Sequence, residues 1–510
     1  MAVEVFRSDL NEPVSRSGLL KFVLVTLFAA FSVYYLRRFF HDDAFISLRY
    51  ARNLIKGHGL VWNPGETPVE GYTNFLWVMM SAVLHAAGLS LIAATRVLGV
   101  GSLIGLFAVV LWMAPRASAF PTALLLVTNI SLAAWAWGGL ETCGFSLFMI
   151  TGVLILQSLE NRWSPTRCLA AGFFLSLAQL CRPEAVLVLL VWIAQTLVFP
   201  NLSESGVRKR TISLVAAPFV VVVGSHMVWR FIYYGDWLPN SYYAKSSGFV
   251  PEFTQQGLHY LLQFALFDFL AVSLFVLAVA RAIRHRDRAE VLTSGTVLGY
   301  FFYMLWSGGD HMPWFRFLVP AVPLIYLSVT RFVFAHWHAR RVLPWAIVVA
   351  TCVWHLTSGV IWAQSGWKYE DAAAWHGTIV GLHIHENWPD ESVVALNTAG
   401  ATAFFARVHC IDMLGINDHH IARTTARHDP RLPWTALAGH RKGDGNYVLG
   451  RKPDYIIIGG SEGYAFPWFN GDAEILDNPD FHTHYEVRQV VLSEGSAGGW
   501  FPFTYYERRK

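Results

Sequence analysis

Long apolar runs alternate with short polar connections over most of this chain. Because a helix needs about 20 consecutive apolar residues to cross a bilayer, each long run is a candidate membrane helix. The runs lie at 18–36, 74–88, 93–113, 119–137, 141–158, 167–180, 185–199, 211–231, 258–283, 290–307, 316–335 and 342–363. From residue 364 onward the sequence is mixed, and short apolar runs such as VVALN, YIIIGG and VRQVVL are typical of strands. The pattern predicts a polytopic α-helical membrane region over 1–363 and a small α/β domain over 364–510.

Basic residues orient the predicted helices, because short loops rich in Lys and Arg stay in the cytoplasm. Four such loops lie at 162–167, 208–210, 284–288 and 338–341. An even number of apolar runs separates each loop from the next, so all four lie on the same side. The basic residues of the N-terminus, Arg7, Arg16 and Lys21, lie in the cytoplasm with these four loops only if the run at 74–88 does not span. We therefore predict an interfacial or re-entrant helix at 74–88. The result is about eleven membrane helices with a cytoplasmic N-terminus, a first outer loop over about 37–92, and the C-terminal domain outside.

Composition supports a membrane protein and excludes other classes. Charged residues make up 15% and hydrophobic residues 54% of the chain, whereas soluble domains carry about 25% charged residues. A net charge of +4 over 510 residues gives no basic face for nucleic acid. The five cysteines form no CxxC pair and no metal-ligand spacing.

Most acidic residues near the predicted helices fall on the outer side. They come from separate segments: Asp42, Asp43, Glu66, Glu70, Glu141, Glu184, Asp236 and Asp310. Ionisable groups at membrane depth are costly and often mark a site. The set favours one pocket that opens to the exterior, although each acid taken alone is equally typical of a solvated loop. His419 and His420 beside Asp418 match no metal-ligand spacing, so we predict a solvated loop and no metal site there.

The pair Asp42 and Asp43 directly follows the first predicted helix. Apolar residues such as Phe45 and Leu48 recur at helical spacing, which predicts an amphipathic helix over 43–56 that lies on the membrane. An N-cap role, worth about 1 kcal/mol, explains one aspartate but hardly two. A carboxylate beside a bilayer surface is also suited to act as a general base.

Short motifs occur along the chain in a consistent order. They are DDAFISLRYARNLIKGHGLVWNPGE at 42–66, VEGYTNFLW at 69–77, GLET at 139–142, RPEA at 182–185, YYGDWLPNSYYAK at 233–245 and GGDHMPWFRFLVP at 308–320. AGATAFF, DMLGINDHHIAR, GHRKGDG and KPDYII follow in the C-terminal part. Together they resemble the GT-C glycosyltransferases, polytopic enzymes that use sugars carried on polyprenyl phosphate. More narrowly they resemble the terminal arabinofuranosyltransferases of mycobacterial arabinan and their bacterial relatives.

The resemblance implies a role for each candidate residue. An aspartate of the first outer loop takes the proton of the acceptor hydroxyl, which places the base at Asp43 or Asp42, with Asp43 favoured because it starts the helix. Cations on the outer side suit the phosphate that leaves, and the candidates are Arg182, Lys245, His311 and Arg316. The candidates for the pocket or for acceptor binding are Glu141, Glu184, Asp236, Asp310, Tyr72 and Trp77. The alternatives are a structural ion pair of Arg182 with Glu184, an interfacial anchor at Lys245 and an interface belt for the aromatic rings.

The implied activity is inverting transfer of D-arabinofuranose from a polyprenyl-phosphate donor to a glycan or glycoprotein outside the bacterial inner membrane. The resemblance implies the lipid-linked donor and no other cofactor, and a divalent cation stays open. Transfer of another sugar, such as mannose, to protein or lipid fits the same motifs. A transporter would show internal repeats and charge near the bilayer midplane, and neither is evident. A non-catalytic membrane scaffold is the third alternative.

Overall fold

A computed structural model of the chain describes residues 16–198, 205–245, 251–337, 340, 342–364, 370–495 and 498–509. The start of the predicted cytoplasmic N-terminus, with Arg7, and most of the basic loop at 338–341 lie outside the described residues. The chain divides into two compact units, each described by itself below. The helical unit comprises Met1–Arg38, Thr95–His226 and Glu252–Tyr369, and the mixed unit comprises Phe39–Ala94, Met227–Pro251 and Glu370–Lys510. The predicted first outer loop thus groups with the C-terminal segment, and the predicted boundary at residue 364 stays a prediction.

Helices make up most of the described chain. In chain order they are α1 Arg16–Tyr35, α2 Asp42–Ile55, α3 Phe75–Ala86, α4 Leu91–Met113, α5 Arg116–Thr128, α6 Ile130–Trp137, α7 Thr142–Ser158, α8 Pro165–Cys181, α9 Val186–Val198, α10 Ser205–Tyr234, α11 Asn240–Lys245, α12 Pro251–Phe267, α13 Phe269–His285, α14 Arg288–Ser307, α15 Val322–His336, α16 Val342–Gln364, α17 Ala372–Asn387, α18 Ala401–Ala406, α19 His419–Ala422, α20 Gly445–Gly450, α21 Asn470–Leu476 and α22 Pro479–His484. Short 3-10 helices lie at Pro183–Ala185, Pro313–Phe315, Val319–Ala321 and Pro433–Ala436.

The prediction of a polytopic helical membrane protein is confirmed. Five helices of the described chain are long and apolar enough to cross a membrane: Gly18–Tyr35, Leu91–Met113, Gly206–Tyr234, Val319–His336 and Val342–Gln364. The number rises to seven if each of two bent pairs, α5 with α6 and α12 with α13, forms one span.

The number of long spans is lower than the eleven predicted, because several apolar runs fold into shorter helices. Thr142–Ser158 and Pro183–Val198 are apolar but short, and the run at 167–180 lies within the 17-residue α8. The 12 residues of α3 extend over only about 18 Å at ~1.5 Å per residue, less than the roughly 30 Å of a hydrocarbon core. The run at 74–88 is therefore too short to span, as the charge pattern predicted.

A buried polar network joins the two helix breaks of the helical unit. α5 and α6 meet at 66° around Asn129, and α12 and α13 meet at 106° around Asp268. Between them, the Tyr326 hydroxyl accepts from Asn129 Nδ2 at 2.6 Å and donates to Asp268 Oδ2 at 2.5 Å. His355 Nε2 lies 2.8 Å from Asp268 Oδ1. Because an unpaired polar group in an apolar interior is costly, these bonds stabilise both breaks together.

The mixed unit holds a five-stranded sheet with the order β2-β1-β3-β5-β4. The strands are β1 Val393–Leu396, β2 His409–Asp412, β3 Tyr455–Ile457, β4 Tyr485–Ser493 and β5 Trp500–Arg508. β1 pairs with β2 and β3 in parallel, so the carboxyl ends of these three strands share one edge. β5 pairs with β3 and β4 in the antiparallel sense. The predicted α/β domain is confirmed, although the sequence pattern revealed β1, β3 and β4 but neither β2 nor β5.

α2 is the helix predicted after the first apolar run, but its surroundings differ from the prediction. Ten of its 14 residues are buried. Phe45 packs against Phe404 and Phe405 with ring centroids 5.4 Å apart in each case, and Arg49 donates to the carbonyls of Trp62 and Val408. The prediction that this helix lies on the membrane surface is therefore wrong, because the C-terminal segment of the same unit covers its apolar face.

Candidate active site

The first turn of α2 holds two adjacent aspartates in different surroundings. His41 is the N-cap, and its Nδ1 accepts the backbone N–H of Asp43 at 3.2 Å. Asp42 is buried, with 8% of its surface exposed, whereas Asp43 is only partly buried. The predicted N-cap role of an aspartate is therefore wrong, and neither carboxylate is needed for that role.

The Asp42 carboxylate is anchored to the backbone that follows β1. Its Oδ1 accepts the Ala401 N–H at 2.7 Å. Gly400 lies so close that a Cβ at that position would be 2.3 Å from Asp42 Oδ2. Burial, and then the nearby charge of Asp371, raise the pKa of Asp42 to about 8, although the backbone hydrogen bond from Ala401 acts in the opposite direction. Asp42 thus fixes the start of α2 against the loop after β1.

Asp371 completes this arrangement and was not singled out in the sequence. Its Oδ2 accepts the Asp42 backbone N–H at 2.8 Å and lies 3.6 Å from His41 Nε2. Its Oδ1 accepts the Ala373 N–H at 3.0 Å, so Asp371 is also the N-cap of α17. The sequence signal for this residue is an aspartate directly before an apolar helix, which predicts a cap. Its contact with Asp42 joins residues 329 positions apart, and no local pattern reveals it.

Asp43 is the member of the pair that remains accessible. Its backbone position is fixed by the His41 cap and by the anchored Asp42 beside it. Asp43 lies in the first turn of α2, where a negatively charged side chain interacts favourably with the positive end of the helix dipole. This combination of a fixed backbone and a partly exposed carboxylate is what a general base requires. The choice of Asp43 over Asp42 stays a prediction.

Tyr72 and Trp77, predicted to contact a sugar, lie in the core of the mixed unit. Trp77 is 1% and Tyr72 3% exposed. The Tyr72 hydroxyl bonds the hydroxyl of Tyr234 at 3.0 Å, and its ring packs edge-on against Tyr50 with centroids 4.8 Å apart. These rings have no face open to a ligand, so their assignment to acceptor binding is corrected to a packing role.

The other acids predicted in this unit form ion pairs. Asp236 Oδ2 accepts from Arg423 Nη2 at 2.7 Å. Glu70 forms a two-point contact with Arg230 at 2.5 and 3.2 Å, and Glu66 contacts Arg451. The pairs of Asp236 and Glu66 connect the segment before α11 and the first outer loop with the C-terminal part of the mixed unit, whereas the Glu70 pair connects that loop with the end of α10.

Lys245 ends α11 and is exposed at its terminus. Its aliphatic stem lies close to Gly439, where a Cβ would be 3.1 Å from Lys245 Cγ. An exposed ammonium on a packed stem fits both the predicted phosphate contact and the alternative of an anchor. The role of Lys245 stays a prediction.

In the helical unit, Arg182 lies between two carboxylates. Its Nε and Nη2 bond the two oxygens of Glu184 at 3.2 and 2.8 Å, and its Nη1 bonds Glu141 Oε1 at 3.1 Å. All three side chains are buried. This is the two-point geometry that makes Arg–carboxylate pairs strong. The structural ion pair, given as the alternative for Arg182, is therefore present and includes a second acid.

Arg316 has more donors available than Arg182. Among the described residues, the Arg316 guanidinium donates one hydrogen bond, from Nε to Asp310 Oδ2 at 3.1 Å. His311 Nδ1 lies 3.8 Å from Asp310 Oδ1, and its side chain is 41% exposed. A planar guanidinium with both terminal amino groups available is suited to a phosphate.

The backbone before Arg316 is strained. Trp314 and Phe315 are fully buried and both adopt left-handed conformations, with φ of 59° and 49°. Such conformations are costly for bulky residues and concentrate at functional sites. Gly309, with φ of 76°, packs against Tyr260, where a Cβ would be only 2.7 Å from the Tyr260 Cβ.

One aromatic ring links the two charged groups of the helical unit. The guanidinium carbons of Arg182 and Arg316 each lie 4.8 Å from the centroid of the Phe317 ring. The structure therefore brings together the segments RPEA and GGDHMPWFRF, which are separated by more than a hundred residues. The cluster holds the acids Glu141, Glu184 and Asp310 against these two guanidiniums, so it is not a simple cationic patch.

No group of three or more His, Cys, Asp or Glu side chains is arranged to hold a metal among the residues described above. Asp418 caps α19 through the Ile421 N–H at 3.0 Å, and His420 contacts Asp444 at 2.8 Å. Asp418 is buried as the cap of α19, whereas His419 and His420 are exposed on that helix, so the predicted solvated loop is wrong for Asp418. We therefore derive no step that passes through a divalent cation.

Solved structures with the same architecture place this chain in a class. The oligosaccharyltransferase of Archaeoglobus fulgidus, solved with zinc and sulfate, matches with a TM-score of 0.56 at 14% identity over 94% of this chain and 72% of that chain. ArnT from Cupriavidus metallidurans bound to undecaprenyl phosphate matches with a TM-score of 0.57 at 13% identity over 78% of this chain and 86% of that chain. The chain has the GT-C fold, as the motifs predicted.

Two curated proteins show distant sequence similarity, and both are named terminal β-(1→2)-arabinofuranosyltransferase. The protein of Mycobacterium tuberculosis is 27% identical over 45% of this chain and 38% of its own length. The protein of Corynebacterium glutamicum is 27% identical over 67% of this chain and 54% of its own length. The chain thus spans about half or less of these relatives. Residues 364–505 match the model of a domain of unknown function, DUF8728.

Proposed function

We propose that this chain is an inverting GT-C glycosyltransferase that transfers D-arabinofuranose from a polyprenyl-phosphate donor to a glycan or glycoprotein outside the bacterial inner membrane. The observation that carries the proposal is the pair at the start of α2, where an anchored, buried Asp42 fixes a partly exposed Asp43. The fold supports a lipid-linked donor, because ArnT was solved with undecaprenyl phosphate. The choice of arabinofuranose rests on the distant relatives alone.

In the proposed reaction the Asp43 carboxylate accepts the proton of an acceptor hydroxyl. The hydroxyl oxygen attacks the anomeric carbon, and the bond from that carbon to the phosphate oxygen breaks. Polyprenyl phosphate leaves with the bonding electrons, and the anomeric configuration inverts. Removal of the proton by a positioned base typically contributes about 10²–10⁴-fold to the rate.

Arg316 is our leading candidate for a ligand of the phosphate that leaves. Its terminal amino groups are available, and the strained Trp314–Phe315 backbone fixes the residue that follows. Arg182 is committed to Glu184 and Glu141, so we assign it a positioning role near Arg316, through their shared contact with Phe317. His311 and Lys245 remain secondary candidates because their side chains are more exposed.

The test uses the full chain in nanodiscs with radiolabelled polyprenyl-phosphoarabinofuranose and a short arabinan acceptor. We expect Asp43→Asn to lower transfer by about 10²–10⁴-fold. Arg316→Lys keeps the charge but not the forked donors, and should lower it by at least about tenfold. The matched control is Asp390→Asn, an exposed aspartate of the same unit, which should match wild type.

Two outcomes would change the proposal in different ways. Transfer from polyprenyl-phosphomannose, with none from the arabinofuranose donor, would keep the mechanism and overturn the sugar. Undiminished transfer by both Asp43→Asn and Asp42→Asn would overturn the assignment of the base and favour a different catalytic residue.

A further inference from the structure

The mixed unit carries a row of aromatic rings that we call the aromatic shelf: the exposed Trp434 and Phe466 and the half-buried Tyr464 and Trp468. Trp434 is 39% and Phe466 56% exposed. The Trp434 and Trp468 rings are nearly parallel, at 11°, with centroids 5.7 Å apart. This distance exceeds the roughly 3.5–4.0 Å of a full face-to-face contact, so the two rings do not cover each other completely. Tyr464 extends the row from Trp468, with centroids 4.4 Å apart.

A buried carboxylate holds this shelf in place. Asp472 is fully buried, and its Oδ2 accepts the backbone N–H groups of Trp468 at 3.0 Å, Phe469 at 3.2 Å and Gly459 at 3.1 Å. Its Oδ1 accepts from Asn397 Nδ2 at 2.8 Å. The loop that carries Tyr464, Phe466 and Trp468 is therefore fixed at its backbone, and Trp434 stacks on Trp468 of this loop. Rings held in this way lose little entropy when a ligand binds.

A carboxylate oxygen lies at the edge of the shelf. A Cβ placed on Gly460 would be 3.1 Å from Glu462 Oε2 and 3.2 Å from Cζ3 of the Trp468 ring, so the two groups flank the same glycine. Glu462 Oε1 contacts His376, whereas Oε2 has no side-chain partner among the residues described. A sugar ring presents an apolar C–H face and hydroxyl donors around its rim. The shelf offers the complementary groups, aromatic faces and a carboxylate acceptor.

The shelf lies at the same sheet edge as the aspartate pair. Tyr464, Phe466 and Trp468 follow β3, and Trp434 reaches them from the 3-10 helix Pro433–Ala436. Asp42 is anchored to the loop after β1, the parallel neighbour of β3. Ser461 connects the two loops, because its hydroxyl lies 3.1 Å from Thr398 Oγ1 and 3.2 Å from the Ala373 carbonyl, two residues beyond Asp371. Ligands of sheets with parallel strands typically bind beyond the carboxyl ends of those strands.

We propose that the aromatic shelf is a binding subsite for a sugar ring of the acceptor glycan, remote from the hydroxyl that reacts. The proposal rests on the proposed function, since it takes the acceptor to be a carbohydrate. It makes the acceptor an oligosaccharide long enough to extend from Asp43 to Trp434, and it gives the C-terminal segment a role in selecting long acceptors.

The experiment compares Trp434→Ala with Trp500→Ala in the full chain in nanodiscs. Trp500 is a matched control, because it is a 70% exposed tryptophan of the same unit on β5. The probes are an arabinan hexasaccharide and a disaccharide, with binding followed calorimetrically and transfer followed as above. For Trp434→Ala we expect Kd and KM for the hexasaccharide to rise about tenfold, with kcat unchanged and the disaccharide unaffected. Trp500→Ala should match wild type for both probes.

The outcomes separate this proposal from the proposed function. Unchanged hexasaccharide binding in Trp434→Ala would overturn the shelf, even if Asp43→Asn abolishes transfer. Equal weakening of hexasaccharide and disaccharide would also overturn it, because a remote subsite acts only on long acceptors. Selective loss of hexasaccharide binding in a protein that transfers neither sugar would support the shelf while the proposed function fails.

Discussion

Replacement of Gly400 by alanine tests the anchoring of Asp42. A Cβ at Gly400 would lie 2.2 Å from the Asp42 carbonyl oxygen and 2.3 Å from both Cγ and Oδ2. These distances are more than 1 Å shorter than ordinary van der Waals contact, which begins at about 3.4 Å. Since both the backbone and the carboxylate of Asp42 meet the new methyl group, a rotamer change alone does not relieve the clash. The start of α2 has to move away from the loop after β1.

The size of the effect follows from this displacement. Overpacking of a well-packed interior typically costs about 1–3 kcal/mol of stability. Misplacement of a reacting group by about 1 Å can lower the rate by about 10²-fold, and Asp43 moves with Asp42 because it is the next residue of the same helical turn. We therefore expect Gly400→Ala to unfold at a lower temperature and to lower kcat by about two orders of magnitude.

The assay pairs thermal unfolding of the full chain in detergent with the transfer reaction. Gly450→Ala is the matched control, because a Cβ at Gly450 meets no atom within 4 Å and an alanine in α20 should leave stability unchanged or raise it. If Gly400→Ala unfolds at the wild-type temperature and transfers sugar at the wild-type rate, the contact between α2 and the loop after β1 is refuted.

Three further predictions concern the carboxylates of Asp42, Asp371 and Asp268. Asp42 holds its proton in the folded protein up to about pH 8 but loses it near pH ~3.9 in the unfolded chain. The free energy of unfolding should therefore fall as the pH rises between these values, by at most about 1.4 kcal/mol per unit, and thermal unfolding of Asp42→Asn from about pH 5 to about pH 8 should show a shallower slope. Asp371→Ala should lower the free energy of unfolding by roughly 1 kcal/mol because it removes a helix cap, and its effect on kcat should be larger than its effect on KM. Asp371→Asn should recover most of the stability. If Asp371→Ala and wild type have equal kinetics, Asp371 does not position the site. Asp268→Asn should lower the free energy of unfolding by about 3–5 kcal/mol because it leaves His355 without its carboxylate partner. Tyr326→Phe should lower it by only about 1 kcal/mol. Denaturation in detergent measures both, and the opposite order would contradict the network.

The candidate site was only partly visible in the sequence. The adjacency of Asp42 and Asp43 and the helix that follows them are local properties, and the structure confirms the helix at Asp42–Ile55. The different environments of the two carboxylates depend on Gly400, Ala401 and Asp371, which lie more than 300 residues away. Tyr72 and Trp77 show the opposite case, because their ring chemistry suggested ligand contact and their burial removes it.

Composition and periodicity alone determined that this chain is a polytopic helical membrane protein with a mixed C-terminal domain. Few charged residues and long apolar runs are compatible with few folds other than membrane-spanning helices. The tertiary structure decided which apolar runs are long enough to span, because helix breaks at Asn129 and Asp268 depend on partners from distant helices. It also decided that Arg182 is held by two acids, that Arg316 bonds Asp310 through Nε, and that the rings of Trp434 and Trp468 stack on each other. Ion pairing, burial and ring stacking are relations between segments far apart in the chain, and only folding brings those segments into contact.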